Sequence, residues 1–172
     1  MLWENVIGQQ EIKNKLQQSI KDGRISHAQL FSGPEGSGTL ALAIAYAREV
    51  LCGLNNEQCN LKVDKLQHPD LHFSFPYSAT ESVKKPLAKY LLNEWRTFVD
   101  ENVYGNLTDW MSHLGIEKKQ GVIPVDEADE IRRMADGHHD IHRLLFRNGL
   151  HGLDQCAPDL PDVRRLCRVG EY

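Results

Sequence analysis

The residues best suited to chemistry are glycines that follow a short apolar run. Gly33 and Gly38 have the spacing of the phosphate-binding pattern G-x-x-x-x-G-K-[ST], in which backbone N–H groups cradle phosphates at a helix start. Thr39 replaces the lysine that meets the outer phosphates, and Leu40 replaces the hydroxyl that meets magnesium. Losing a charge-assisted contact weakens binding by roughly 1.5–3 kcal/mol. We therefore expect a degenerate loop without ATPase activity or catalytic residues. Its predicted residues are Gly33, Gly36, Ser37, Gly38, Thr39 and Leu40.

The sequence around the loop predicts that a strand leads into it and a helix follows it. Residues 28–32 form a short run before the first glycine, and an alanine- and leucine-rich run extends from 39 to about 51. Strand, glycine loop and buried helix are the first half of a βαβ unit. Alternation at 71–75 predicts another strand. Apolar residues at intervals of four between 12 and 20 predict an amphipathic helix. The other interpretation is that the glycines between the strand and the helix form a turn that serves packing only and binds no ligand.

Length and composition are typical of one globular domain. The 172 residues carry a formal net charge of −4, with 41% hydrophobic and 26% charged residues. Without a global basic field, tight unaided nucleic-acid binding is not expected. No apolar run approaches the roughly 18 residues that span a bilayer, and the N-terminus lacks the features of a signal peptide. We therefore expect a cytoplasmic protein whose four cysteines are thiols or metal ligands rather than disulfides.

Residues 80–116 are predicted to form two inserted helices separated by a turn at 104–106. Four apolar residues line one face of each helix. An aromatic stripe of this kind is more often core than ligand site, although the insertion could also serve as a docking surface. The stripe consists of Leu87, Leu91, Trp95 and Phe98 in the first helix and Leu107, Trp110, Met111 and Leu114 in the second.

Three segments have an order and spacing that together are specific. They are residues 7–9 (Ile-Gly-Gln), 25–34 (Ile-Ser-His-Ala-Gln-Leu-Phe-Ser-Gly-Pro) and 68–73 (His-Pro-Asp-Leu-His-Phe). Together they resemble the amino-terminal part of bacterial clamp-loader AAA+ subunits, most closely the delta-prime subunits of DNA polymerase III of the Bacteroidetes type. The resemblance implies an α/β fold of the P-loop NTPase and AAA+ type, with an incomplete parallel sheet and flanking helices.

The resemblance also implies a function. It implies that Ile7, Gly8 and Gln9 lie beside the adenine pocket. It also implies that a subunit whose loop lacks the lysine is an inactive one. The expected role is a non-hydrolysing stator of the clamp loader, which loads the sliding clamp on primed DNA within the DNA polymerase III holoenzyme, a nucleotidyltransferase complex. The implied partners are the motor and delta subunits, the clamp and primed DNA, with no membrane. No cofactor is expected, with at most weak binding of ATP or ADP.

Related subunits carry a four-cysteine zinc module between the loop helix and the His-Pro-Asp segment. This sequence offers only Cys52 and Cys59 there, and His68 is the nearest further candidate. A structural zinc site needs four ligands, usually Cys₄ or Cys₃His. Zinc is therefore not expected, and the two cysteines are weak candidates.

The composition changes near residue 132. Residues 1–131 contain ten lysines and three arginines, whereas residues 132–172 contain seven arginines, no lysine and four of the eight histidines. We therefore divide the chain into a partial AAA+ nucleotide-binding domain (1–131), with its helical insertion at 80–116, and a divergent tail (132–172). The tail is either an appended segment that binds an anionic partner or a product of translation out of frame, and we favour the frame shift. We expect residues 135–172 not to complete the core.

Two other functions remain open. One is an active clamp-loader ATPase such as the motor subunit, which Thr39 and Leu40 disfavour. The other is a truncated product without function, or a small interaction fragment.

Overall fold

The computed structural model describes residues 2–26, 28–53, 56–78, 87–136 and 143–144. The described α-helices are α1 (Gln10–Lys21), α2 (Thr39–Cys52), α3 (Glu57–Asp64), α4 (Leu92–Asn102), α5 (Leu107–His113) and α6 (Val125–Asp136). Short 3₁₀ helices, Trp3–Asn5 and Ala88–Leu91, precede α1 and α4. Strands β1 (Ala28–Gln29) and β2 (Arg143–Leu144) pair in parallel, with Ala28 opposite Arg143 and Gln29 opposite Leu144.

The predicted α/β class with a parallel sheet is wrong for the described residues, which are mainly helical. Their strand pairing is limited to the two-residue contact of β1 with β2 and one isolated antiparallel bridge between Tyr77 and Val122. Residues 71–75, predicted as a strand, have no regular secondary structure. Alternate side chains of this segment are buried, but no neighbouring strand among the described residues supplies ladder hydrogen bonds. The alternation therefore reflects an extended segment that packs on helices.

Helix α2 lies at the centre of the core and confirms the helix predicted from 39 to about 51. Alanine and leucine are strong helix formers. The helix follows Gly38, whose φ is 81°, and is followed by Gly53, whose φ is 62°; both values lie in the region that favours glycine. Ten of its 14 residues are buried, so the helix is covered by the rest of the protein on most of its sides. The buried residues are Leu40, Ala41, Leu42, Ala43, Ile44, Ala45, Tyr46, Ala47, Glu49 and Cys52.

The segment before α4 joins the two inserted helices through an aromatic cluster. The rings of Phe75 and Trp95 stack with centroids 4.4 Å apart, and Trp110 meets both edge-on at 5.1 Å. Trp110 Nε1 donates a hydrogen bond to the carbonyl oxygen of Pro76 (2.7 Å). Aromatic pairs in these geometries add about 0.5–1.5 kcal/mol each beyond area burial. Seven of the eight predicted stripe residues therefore belong to the core or pack against it, whereas Leu87, which precedes the 3₁₀ helix, is half-buried.

Helix α6 is held to the same region by a buried carboxylate. Glu127 is 4% exposed, and its Oε2 accepts hydrogen bonds from the Ala88 N–H (2.9 Å) and the Tyr77 hydroxyl (3.4 Å). Backbone bonds in both directions between Tyr77 and Val122 fix the approach to the helix. The helix extends from residue 125 to 136 and so crosses the predicted boundary at 131/132.

Most of the predicted tail lies outside the described residues. Its described parts are the end of α6 and the two residues of β2. The interpretations of residues 132–172, including the frame shift, therefore stay predictions. Among the described helices, none is both long and apolar enough to cross a membrane.

Candidate functional site

The glycine loop forms a tight turn that leads directly into α2. Gly36 and Gly38 have φ values of 75° and 81°. The Ser37 N–H donates to the carbonyl oxygen of Pro34 at 3.1 Å, so the loop itself uses this donor. A cradle for phosphate depends on N–H groups that point inward and lack such a partner. The loop therefore has two glycines with positive φ and uses one of its amides for its own turn.

The two substituted positions have different surroundings. Leu40 is 3% exposed and belongs to the main hydrophobic core, so its side chain is packed against apolar neighbours. Thr39 is half-buried, and its Cγ2 would lie 3.2 Å from a Cβ added to Gly33. The Oγ of Ser37, 2.5 Å from the same point, is buried and has no hydrogen-bond partner among the described residues. These side chains pack against Gly33, where any larger residue would collide with them.

The N-terminal segment is positioned beside the loop by buried polar contacts. Trp3 Nε1 donates to Glu49 Oε2 in α2, and Lys13 Nζ donates to the carbonyl oxygen of Val6. Val6 is 1% exposed and packs with Ala41, Leu42 and Ala45. Burying a lysine is favourable only where its charge finds an acceptor.

The three predicted adenine-side residues, Ile7, Gly8 and Gln9, are exposed, with Ile7 at 75%. Gly8 and Gln9 have positive φ values of 65° and 56°, and the chain enters α1 directly afterwards. For Gln9 this backbone conformation is uncommon and costs of order 1 kcal/mol or more. The turn directs the Ile7 N–H towards the inserted helices.

Tyr104, in the turn between α4 and α5, joins the two predicted parts of the site. Its hydroxyl oxygen accepts a hydrogen bond from the Ile7 N–H (2.7 Å). Its ring lies against the loop, because a Cβ added to Gly38 would be 2.6 Å from Tyr104 Cε1. The cleft between this turn and the loop retains a cavity of about 10 Å³, room for about one water molecule.

Sequence reasoning missed Tyr104 and Glu127. Tyr104 was assigned only to a turn, and no spacing rule connects it to a loop 65 positions earlier. Glu127 falls among other acidic residues at the start of α6, where acidic side chains are ordinary on an exposed helix. The buried Glu127 also affects the pKa of Tyr77, which it contacts. Desolvation first, and then the Glu127 carboxylate, raise the pKa of Tyr77 well above its ordinary value of 10.

The predicted thiol state is wrong for Cys52 and Cys59, which form a disulfide. The short connection between α2 and α3 brings their Cα atoms to 5.4 Å, within the range that a disulfide spans. The two sulfurs and a ring nitrogen of His68 lie within 4.8 Å of one another. A closed zinc site needs four ligands with deprotonated thiols. Two bonded cysteines and one histidine do not fit it, and in the described residues no fourth donor joins the group.

Comparison with known proteins gives a consistent result. The sequence model of the family described as DNA polymerase III, delta subunit, matches residues 8–138. The DNA polymerase III subunit delta' of Bacillus subtilis is 32% identical over 93 residues, which are 51% of this chain and 28% of that protein. Subunit tau of the same organism is 40% identical over 60 residues, 34% of this chain and 11% of that protein.

An archaeal protein is similar over a shorter stretch. The replication factor C small subunit of Methanocella arvoryzae is 49% identical over 47 residues, 27% of this chain and 14% of that protein. The chain thus spans less than a third of each of these relatives. No solved structure matches the chain.

Proposed function

The chain belongs to the DNA polymerase III delta-subunit family, which confirms its resemblance to clamp-loader subunits, and from this premise we propose that it is a non-hydrolysing subunit of the clamp loader. The names of its relatives, two DNA polymerase III subunits and a replication factor C small subunit, support a role in loading the sliding clamp during DNA replication. The proposed partners are the motor and delta subunits and, through the assembly, the clamp and primed DNA. The proposed location is the cytoplasm, where such an assembly would act.

The burial of Leu40 carries the proposal that the chain does not hydrolyse ATP. In the loop pattern this position supplies the hydroxyl that holds magnesium, and here it supplies a core side chain that is 3% exposed. Thr39 brings no positive charge to the outer phosphates. Phosphoryl transfer depends on such charges, because catalysis is mainly positioning and electrostatic stabilisation. The loop lacks both the lysine, which would supply a positive charge, and the hydroxyl, which would hold the magnesium ion.

The remaining contacts suit a rigid subunit. The loop holds the start of α2, the N-terminal segment is fixed to α2 through Trp3 and Glu49, and Tyr104 fixes the insertion to both. A subunit held in one conformation can serve as the stationary part against which motor subunits move. No cofactor is needed for this role, and zinc is not part of the proposal.

A turnover measurement tests the absence of hydrolysis. Phosphate release from ATP by the purified full chain should not exceed that of a blank without protein. Thr39→Ala is the matched control, since it changes the critical loop position without touching the buried Leu40. Turnover above the blank that Thr39→Ala abolishes would contradict the proposal.

An assembly experiment tests the role in clamp loading. The full chain is mixed with the motor and delta subunits of its own organism, and clamp loading on primed DNA is measured with and without it. We expect the chain to enter the complex and to increase loading without adding turnover sites. Failure to co-elute with the other subunits would favour the alternative of a fragment without this function.

A further inference from the structure

The turn between α4 and α5 occupies the space above the glycine loop. The cleft has two walls: loop residues 33–36 and 38–40 on one side, and residues 103–107 on the other. Tyr104 crosses between them, with its ring on Gly38 and its hydroxyl on the Ile7 N–H. What remains is about 10 Å³. The enclosed space beside the Tyr104 ring is thus about the size of one water molecule.

The turn is held in place by its own contacts. Gly105 is buried, and a Cβ there would be 2.7 Å from Phe98 Cζ, so glycine is required where the turn packs on α4. The Gly105 N–H donates to the carbonyl oxygen of Asn102 (3.0 Å). Asn106 and Asp109 form a reciprocal capping box at the start of α5, an arrangement that satisfies two helix-end donors.

The neighbouring side chain also anchors the turn. Val103 packs against both hydrophobic clusters of the core, and Tyr104 packs against the one formed by Val6, Ala41, Leu42 and Ala45. A tyrosine on a free surface turn would sample several rotamers, and ordering it would cost side-chain entropy. Here the backbone on either side is fixed, so the phenol is presented to the loop already oriented.

The loop amides give a reason why an anion would otherwise be attracted to this place. Glycines at the start of a 14-residue helix present N–H groups and the positive end of the helix dipole. The Ser37 Oγ is buried there and finds no hydrogen-bond partner within the described part of the chain. Tyr104 offers the site no negative charge, and its hydroxyl accepts from Ile7 instead. The phenol therefore occupies the cleft by its size and does not neutralise the positive potential at the start of the helix.

We propose that Tyr104 is a built-in plug that keeps nucleoside polyphosphates out of the glycine loop. The plug also ties the insertion to the N-terminal segment through Ile7, so that three parts of the chain share one contact. Removing the phenol opens the cleft to a phosphate-bearing ligand. This inference goes beyond the proposed lack of hydrolysis, because it concerns access to the loop and not turnover.

The first test measures ADP binding to the isolated full chain by titration calorimetry. Thr39→Lys is introduced in every sample to supply the missing charge, so that an opened cleft has a cation to bind phosphate. We expect Thr39→Lys/Tyr104→Ala to bind ADP at least about tenfold more tightly than Thr39→Lys alone. Thr39→Lys/Tyr90→Ala is the control, because Tyr90 is an exposed tyrosine of the insertion. Equal affinities for all three proteins would overturn the plug.

The second test does not depend on nucleotide and uses a variant that keeps the ring. Tyr104→Phe removes only the hydroxyl, so the Ile7 N–H loses its acceptor. We expect amide hydrogen exchange at Ile7 to become at least about tenfold faster, while Tyr90→Phe leaves it unchanged. Unchanged exchange in Tyr104→Phe would also overturn the inference. Neither test requires hydrolysis or partner subunits. The plug proposal can therefore be wrong while the proposed function is right, and the proposed function can be wrong while the plug proposal is right.

Discussion

Leu40 stands at a helix start where the loop pattern has a magnesium-binding hydroxyl, yet it is part of the hydrophobic core. Its burial is continuous with Ile44 and Ala47 along the same helix. A hydroxyl introduced at this position would be placed among apolar atoms. A polar side chain at residue 40 should therefore have a structural cost.

We expect Leu40→Thr to lower the free energy of unfolding by about 2 kcal/mol or more, because it removes buried methyl groups and buries a hydroxyl. Glu35→Ala, at an exposed residue of the same loop, should change it by less than about 0.5 kcal/mol. Urea unfolding monitored by tryptophan fluorescence measures both. A Leu40→Thr protein as stable as Glu35→Ala would show that the position tolerates a polar side chain.

Glu127 satisfies two donors in a buried place, the Ala88 N–H and the Tyr77 hydroxyl. Glu127→Ala leaves both without this acceptor, and a buried unsatisfied donor costs about 1–3 kcal/mol. Asp129→Ala, on the exposed side of the same helix, should cost less than about 0.5 kcal/mol. Chemical denaturation of the two variants checks the difference. Similar losses for both would assign the effect to the helix as a whole.

Tyr77 adds a pH dependence to the same contact. Burial, followed by the Glu127 carboxylate, raises the pKa of Tyr77 above 10 in the folded chain, so folding favours the neutral phenol. This contribution is complete below pH 10 and is lost as the pH rises further, because the unfolded chain ionises first. Between about pH 10 and about pH 11, the wild type should lose stability more steeply than Tyr77→Phe. Parallel pH profiles of the two proteins would contradict this.

Among the elements, the sequence predicted helices better than strands, and the reason lies in their hydrogen bonds. Helix α2 satisfies its own backbone groups, so its alanine-rich sequence was enough to predict it. The segment 71–75 alternates as a strand does, but a strand also needs a neighbour, and sequence alternation does not supply one. In the described structure Phe73 and Phe75 are buried in an aromatic cluster. The alternation predicted burial correctly and secondary structure incorrectly.

The Cys52–Cys59 disulfide joins the end of α2 to α3 across a short loop. Closing a loop of this size stabilises a folded chain by about 2 kcal/mol in the chain-entropy account. We expect dithiothreitol to lower the unfolding temperature of the wild type by several degrees, about 4 °C or more. Cys52→Ser should melt at the lower temperature and be insensitive to the reductant. A wild type whose melting is unaffected by complete reduction would show that the bond adds no stability.

At the scale of the whole molecule, the sequence proposed separate parts of the candidate site but not how they come together. The loop glycines and the segment 7–9 were identified from spacing and resemblance. Their connection through Tyr104 was not, because the tyrosine comes from an insertion about 65 positions away, and no local pattern encodes that contact. The site depends on how the inserted helices pack. The periodicity of the sequence predicts that each helix has an apolar face, but it does not predict what that face contacts.

We expect the helical core to form without the residues beyond α6. In the described part of the chain, the buried residues lie between Val6 and Glu127, and strand β2 pairs with β1. A chain ending at residue 136 should therefore keep its helical core and melt within about 4 °C of the full chain. It should associate more readily, because the edge of β1 loses its partner.

A chain ending at residue 121 provides the matched control for this truncation. It lacks the bridge at Val122 and the Glu127 carboxylate, and we expect its unfolding temperature to fall by about 10 °C or more, since a buried contact network is broken. Thermal unfolding by circular dichroism, with light scattering for association, measures both truncations. If the chain ending at 136 unfolds as early as the one ending at 121, then residues 137–172 stabilise the fold, and the prediction that the tail does not complete the core is wrong.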